Sequence, residues 1–324
     1  MYLKIYKKNC CRKFKVNHQQ IMQMLIDIKN IMFDELQDIS FKKKKIRLLL
    51  ARLDKIHPII SGNKLFKLHY FIEDAKQSSH KTLLTFGGAY SNHLVAAAYA
   101  CKESGLKSIG IVRGEEPEKV SHTLQQCITY GMQLQFISRS NYKNADDINF
   151  IDELKLQYGH FCLVPEGGYH PLGAAGASLI MNLLKDKNAT HICTATGTAT
   201  TLAGLLLKSR ESQQVISVPV IKNMQDIAER IYHLTNKKKQ ENLRIFDDYH
   251  FGGYAKKTGG LINFMNDFYK LYSIPLDFVY TAKMMYAVID KINKSYFPQG
   301  STIVCLHTGG LQGNLSLPTG TLIF

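Results

Sequence analysis

The segment 191–208, HICTATGTATTLAGLLLK, sets the fold class. His191–Thr194 reads as a short buried strand. Thr194–Gly204 is a stretch of small hydroxyl residues and glycine. Leu202–Lys208 then carries the apolar run of a helix. Strand, glycine-bearing turn and helix make one βα unit, and the pattern recurs on both sides. Upstream, β-type runs are read at 46–53, 82–86, 108–112, 134–137 and 161–164. Downstream they are read at 215–221 and 302–306. Between them lie predicted helices at 94–100, 121–130, 147–158, 177–184, 225–234, 261–272 and 282–292. Ser91 is placed to cap the first of these, and Gly105, Gly131 and Gly159 close the first three. Apolar runs alternating with helices predict an α/β fold with open twisted, mainly parallel sheets.

Composition agrees with a folded chain. Of 324 residues, 45% are hydrophobic and 21% charged, and no apolar run is long enough for a membrane-spanning helix. Lys and Arg total 41 against 26 Asp and Glu, a formal net charge of +15. Residues 1–60 hold 14 of those cations and 5 of the anions, so most of the excess sits at the N-terminus. Lys42–Lys45 is the densest run and reads as a solvated loop or edge before a strand. The other reading is an anion or nucleic-acid patch, but no zinc-finger spacing, RNP-like aromatic motif or basic region with heptads accompanies it. No nucleic-acid partner is expected. The 7 cysteines are irregularly spaced with no CxxC, which argues against a disulfide framework or zinc site and for a reducing, cytoplasmic setting. No metal is expected.

In open α/β sheets, ligands bind beyond the carboxyl ends of the strands. Four glycine-rich stations fall there. Ser61-Gly62-Asn63-Lys64 offers a lysine held by a turn, which desolvation can turn into a Schiff-base nucleophile; its other reading is a surface turn with solvated lysines. Gly87-Gly88-Ala89-Tyr90-Ser91-Asn92-His93 ends a strand and opens a helix, whose free N–H groups suit a carboxylate. Simple capping by Ser91 explains it equally, and His93 also reads as a structural helix residue. Thr194–Gly204 reads as a phosphate cup, although it has no Walker or GxGxxG pattern. Leu306-His307-Thr308-Gly309-Gly310 ends the last strand, where Thr308 could meet a ring nitrogen. An imine anchor, a carboxylate site, a phosphate cup and a ring-nitrogen partner are the inventory that pyridoxal 5′-phosphate requires.

With these residues the sequence resembles the pyridoxal-phosphate enzymes comprising 1-aminocyclopropane-1-carboxylate (ACC) deaminase and D-cysteine desulfhydrase, of the tryptophan-synthase-β-like fold. The matching signatures are 61–64, 91–93, 196–204, Phe278-Val279-Tyr280-Thr281 and 307–310, with Asp247–Tyr249 and Gly252-Gly253-Tyr254 between them. The resemblance implies two open, mainly parallel sheets. It implies a larger cofactor domain of residues 32–73 plus 176–324, and a smaller one of 74–175 that closes on substrate. Residues 1–31 would be a basic extension.

The resemblance also implies roles. Lys64 holds the cofactor and moves protons at the substrate. Asn63 and Asn92 contact the cofactor, while Gly197, Thr198, Ala199, Thr200 and Thr201 hold its phosphate. Thr308 faces the pyridine nitrogen. Ser91, Asn92 and His93 bind the substrate, and Tyr254 and Tyr280 line its other side, where a phenol can orient or protonate a leaving group. Ser91 and both tyrosines are expected to take part in catalysis. Threonine at 281, where ACC deaminases have glutamate, and Thr308 in place of leucine resemble the desulfhydrase side. The implied reaction is α,β-elimination of a small amino acid, most simply D-cysteine. ACC deamination, β-replacement, racemisation and non-catalytic cofactor binding are its competitors. A homodimer with no membrane partner is implied as well. Phe66, His69, Tyr90 and Thr200 depart from the family pattern; threonine at 200, in place of glycine, restricts φ unless the loop adjusts.

Met32 opens the stretch that reads as the body of the fold. A chain beginning at Met32 is expected to fold and melt cooperatively, as circular dichroism would show; loss of the transition would make the preceding residues part of the fold.

Overall fold

The computed structural model describes residues 31–79, 81–238 and 240–324. The basic extension therefore lies outside the described residues, apart from its last one, Ile31. The described chain divides into two compact units, Phe71–Gly167 and the pair Ile31–Tyr70 with Gly168–Phe324.

The strands in chain order are β1 (Phe33–Leu36), β2 (Arg47–Ala51), β3 (Thr82–Gly88), β4 (Lys107–Arg113), β5 (Met132–Ile137), β6 (Cys162–Val164), β7 (His191–Thr196), β8 (Gln214–Pro219), β9 (Leu243–Ile245) and β10 (Thr302–Leu306). They form a six-stranded sheet, β1-β2-β10-β7-β8-β9, and a four-stranded sheet, β5-β4-β3-β6. Every pairing is parallel except β1 with β2. The expected α/β class with two mainly parallel sheets is what the chain adopts.

Burial on both faces explains why the larger sheet's strands read as continuous apolar runs. Leu48, Leu50, Cys193, Ile216 and Cys305 pack on one face with the Gly259–Tyr272 and Thr281–Asn293 helices. Their neighbours Leu49, Ala51, Ile192, Val215 and Val304 pack on the other with the Thr200–Lys208 and Ile227–Thr235 helices. In the smaller unit Leu84, Phe86, Ile109 and Ile111 pack against Tyr142, Ile151 and Leu154.

Several helix starts follow the sequence rules. Ser91, Ser121 and Asp147 each accept a backbone N–H from the first turn of the helix they precede. Other readings need correction. Ser61–Lys64 is not merely a turn, because Lys64 opens a helix that runs to Gln77. The helix expected at 177–184 begins earlier, at Pro171, with His170 as its cap, and a second short helix follows at Ile180–Leu183. Proline is suited to that first turn because its missing N–H would have no partner there. Within the Lys42–Lys45 run, Lys42 and Lys43 end a short helix, Ile39–Lys43, capped by Asp38. Lys44 reaches the far end of the Thr281–Asn293 helix, donating to Asn293 O and Ser295 Oγ. Strands β1 and β9 were not expected; both are short edge strands.

A buried charge network closes the first edge of the larger sheet. Arg52, only 3% exposed, donates to both oxygens of Asp54 (2.9 and 2.7 Å) and to Asp34 of β1 (2.7 Å). Asp54 Oδ1 also lies 3.3 Å from Nδ1 of the fully buried His307, whose Nε2 donates to Pro275 O. Removing one partner of a buried pair leaves the other charge uncompensated. Asp54→Ala is expected to cost about 3–5 kcal/mol of unfolding free energy, measured by urea denaturation; a loss below about 1 kcal/mol, as for a surface pair, would contradict this.

Candidate active site

Strands β2, β10 and β7 are neighbours running the same way, so their carboxyl ends share one edge of the sheet. The chain after each carries a glycine-rich station, and hydrogen bonds join the three. Gly62 N–H donates to Leu53 O (2.8 Å), and Asn63 N–H to Thr308 O (3.4 Å). Asn63 Nδ2 donates to Thr201 Oγ1 (2.7 Å), and Lys64 Nζ donates to Asn63 Oδ1 (2.7 Å). Gly62 makes the approach possible: its φ is +76°, and a Cβ there would stand 1.9 Å from Thr308 O. No side chain could occupy that space.

Lys64 is half-buried. Desolvation pulls its pKa down from 10.5 to about 8, against the attraction of the Asp277 carboxylate. Lys67, one turn on, is buried too, and burial and the charge on Lys64 push it well below the lysine range. The station is thus not a surface turn with solvated lysines.

The phosphate-cup sequence ends β7 and opens the Thr200–Lys208 helix. Ala199 stands at the N-cap with φ +65° and provides no side-chain cap. The departure at Thr200 therefore causes no strain at that residue, since the left-handed position falls on Ala199 and Thr200 is the first helical residue. Thr200 is fully buried, with its hydroxyl 2.9 Å from that of Thr198. First-turn N–H groups without a side-chain cap, beside small hydroxyls, suit an anion. Gly197 keeps this turn open toward Tyr280, whose Cε1 would lie 3.3 Å from a Cβ on the glycine.

Tyr280 is positioned by Asp277, which is fully buried. Asp277 Oδ1 accepts N–H bonds from Val279 (3.0 Å) and Tyr280 (2.7 Å). Its Oδ2 accepts the Thr281 N–H (2.9 Å) and the Thr281 hydroxyl (2.6 Å). Lys64 Nζ lies 5.9 Å from the Tyr280 ring centre, and the Tyr280 hydroxyl is 3.3 Å from that of Tyr254. The two rings meet edge to face, and Tyr254 is 50% exposed. Within the larger unit the structure thus brings together Asn63, Lys64, Gly197, Thr201, Tyr254, Tyr280 and Thr308.

In the smaller unit, β3 ends in Gly87-Gly88 and Ser91 caps the Asn92–Glu103 helix, accepting from Leu94 N–H. Gly87 is needed there because a Cβ would come within 2.6 Å of Ser91 Oγ. Asn92 Oδ1 is buried with no hydrogen-bond partner. A buried acceptor left unmade is costly and marks a place for a ligand donor. His93 turns inward instead: it is 4% exposed, and its Nε2 is 2.9 Å from Thr85 Oγ1. Tyr90 is 52% exposed beside His122.

Asp277 and Lys67 escaped the sequence reading. Each looks like an ordinary solvated charge, and only the two residues' burial sets them apart.

The sequence profile of the pyridoxal-phosphate-dependent enzymes matches residues 35–309. A protein of Pyrococcus abyssi, provisionally named 1-aminocyclopropane-1-carboxylate deaminase, is 30% identical over 275 residues, 78% of this chain and 81% of its own. A crystal structure described as an ACC deaminase homologue superposes with a TM-score of 0.75 at 25% identity, covering 92% of this chain and 96% of that one. The fold is shared further with a hydrogen sulfide-producing enzyme of Fusobacterium nucleatum, with a TM-score of 0.66 at 14% identity, covering 91% of this chain and 99% of that one. The chain belongs to the pyridoxal-phosphate-dependent enzyme family and has its fold type II architecture. Its cofactor is pyridoxal phosphate, and within the larger unit the half-buried lysine and the uncapped helix end fit that group.

Only the neutral amine of Lys64 can attack an aldehyde. Covalent uptake of pyridoxal phosphate by the cofactor-free protein is expected to quicken as pH rises through about 8, where Lys64 loses its proton, and then to level off. Stopped-flow absorbance would measure this. Lys64→Ala should abolish the visible band of the covalently held cofactor, and an intact band would move the attachment site elsewhere.

Proposed function

We propose that this enzyme is a lyase that removes thiol from a small β-thiol amino acid by α,β-elimination, with D-cysteine as its substrate. One observation carries the reading: Asp277 already accepts four hydrogen bonds, from Val279, Tyr280 and Thr281, and the residues at 281 and 308 are neutral threonines. No carboxylate is supplied at those positions to keep the pyridine nitrogen protonated. A less protonated ring is a weaker electron sink and suits a substrate with a good leaving group on Cβ. Opening a cyclopropane has no such leaving group.

Bound pyridoxal phosphate supplies the electron sink that makes the substrate Cα–H acidic. Lys64 anchors it, and Asn63 holds the Lys64 amine in place. The Gly197–Thr201 turn and the N–H groups that follow bind phosphate, and Thr308 meets the ring nitrogen. Ser91, Asn92 and the first helical turn receive the substrate carboxylate, a task that His93, bound to Thr85, leaves to them. Lys64 moves the proton at Cα. The Tyr254–Tyr280 pair orients the thiol and supplies a proton to the departing sulfur. The overall change is D-cysteine and water to pyruvate, ammonia and hydrogen sulfide. The family resemblance supports a homodimer, and the irregular cysteines without CxxC support a cytoplasmic setting.

The second reading, deamination of ACC to 2-oxobutanoate and ammonia, is favoured by the names of the Pyrococcus relative and of the solved homologue. Keto-acid assays on the cofactor-loaded protein separate the two. Pyruvate with sulfide from D-cysteine is expected; 2-oxobutanoate from ACC without pyruvate from D-cysteine would replace the substrate. Tyr280→Phe is expected to lower turnover by about 10²-fold or more, the scale of a lost proton donor, with cofactor occupancy kept. Equal losses in both would make Tyr280 structural.

A further inference from the structure

Lys283 is unlike Lys291, the other lysine of its helix. It lies in the first turn of the Thr281–Asn293 helix and is fully buried. A buried ammonium is costly unless its donors are used. Its Nζ donates to the carbonyl oxygen of Gly253 at 2.7 Å. Burial lowers its pKa from 10.5 to about 8, while the Asp277 carboxylate favours the charged form.

Gly253 immediately precedes Tyr254, and the loop around it is conformationally expensive. Phe251 (φ +49°), Gly252 (+91°), Gly253 (+113°) and Ala255 (+53°) all lie at positive φ. The two non-glycine residues among them hold a backbone state that L-residues resist, and such states persist only where the surroundings impose them. Phe251 packs on Tyr286 of the helix, but most backbone hydrogen bonds of this loop are local. His250 Nδ1 accepts Gly252 N–H, His250 O accepts Gly253 N–H, and Gly253 O accepts Lys256 N–H. The Lys283 ammonium reaches in from another element, 30 residues away in sequence.

We propose that Lys283 is a positioning residue: by gripping Gly253 O from the buried helix, it holds Tyr254 where its hydroxyl meets that of Tyr280. Asp277, just before the same helix that brings up Lys283, performs the matching task on the other tyrosine by accepting the Tyr280 N–H. The two phenols, 26 residues apart, are thus brought together from one short stretch, 277–283. Asp277 sets one by hydrogen bonds and Lys283 sets the other. An apolar side chain at 283 would fill the space but leave Gly253 O with Lys256 N–H alone, and the loop would relax from its positive-φ course.

Two readouts on the cofactor-loaded protein test this. The first is the spectrum of tyrosine labelled with carbon-13 at Cζ, with the Tyr254 and Tyr280 signals assigned by Tyr254→Phe and Tyr280→Phe. Lys283→Met is expected to move both signals and leave those of distant tyrosines unmoved. Lys283→Gln, which keeps a donor one atom short, should move both by less, and it carries the test if the methionine variant does not fold. Unmoved Tyr254 and Tyr280 signals in a folded variant overturn the proposal.

The second readout is kinetic and rests on the tyrosine roles proposed above. Lys283→Met is expected to lower kcat about tenfold, equivalent to about 1.4 kcal/mol, with cofactor affinity unchanged. That loss should disappear when Tyr254 is already phenylalanine. A tenfold loss persisting in the Tyr254→Phe background would make Lys283 a general structural residue and overturn the proposal. If the wild-type protein turns over neither D-cysteine nor ACC, the functional reading falls, and the carbon-13 signals alone decide the role of Lys283.

Discussion

One buried amide holds the candidate site of the larger unit together. Asn63 donates through Nδ2 to Thr201, accepts through Oδ1 from Lys64, and sends its backbone N–H to Thr308 O. The stations after β2, β7 and β10 are thereby fixed to one another through one residue, by its side chain and its backbone N–H. That arrangement depends on Gly62, since any Cβ would collide with the Thr308 carbonyl. The close approach also explains why the glycine, the asparagine and the lysine stand next to one another in the sequence. The glycine lets the backbones touch, the asparagine joins the stations, and the lysine is delivered at the first turn of a helix.

The helix that carries Lys283 is fixed at both ends. Asp277 takes the N–H groups of Val279, Tyr280 and Thr281 at its start. Lys44 donates to Asn293 O at its finish. An anion at the N-terminus and a cation at the C-terminus both oppose the helix dipole. Part of the basic run that looked like a solvated edge is thus engaged in holding a helix of the core.

Much of the fold could be read directly from the sequence. The four inner strands of the larger sheet, β2, β10, β7 and β8, announce themselves because burial on both faces demands unbroken apolar runs, and Ser91, Ser121 and Asp147 mark helix starts because their side chains satisfy free N–H groups. The Lys64–Gln77 helix was hidden because Lys67, His69, Glu73 and Asp74 make it look polar, although Lys67 and Glu73 are buried. The Pro171–Ser178 helix was hidden by its two glycines, which tertiary packing overrides: Gly176 has the Phe66 carbonyl where a Cβ would stand. The glycine-rich stations were legible because they combine rare residue types at strand ends. Asp277 and Lys283 were not, because what distinguishes them is burial, and a one-dimensional pattern assigns charged residues to the surface.

The run of positive φ angles around Tyr254 bears on how such a scaffold diversifies. A helix pinned at both ends and buried along one face tolerates little change. The 251–255 loop is different: a few hydrogen bonds, the Lys283 ammonium and the packing of Phe251 on Tyr286 hold it. Exchanging residues there would redirect a phenol without disturbing the lysine or the phosphate cup. An engineer seeking a new substrate on this chain would therefore begin with the loop and leave Asp277 and Lys283 alone. A lineage drifting toward a new substrate would meet the least resistance in the same place.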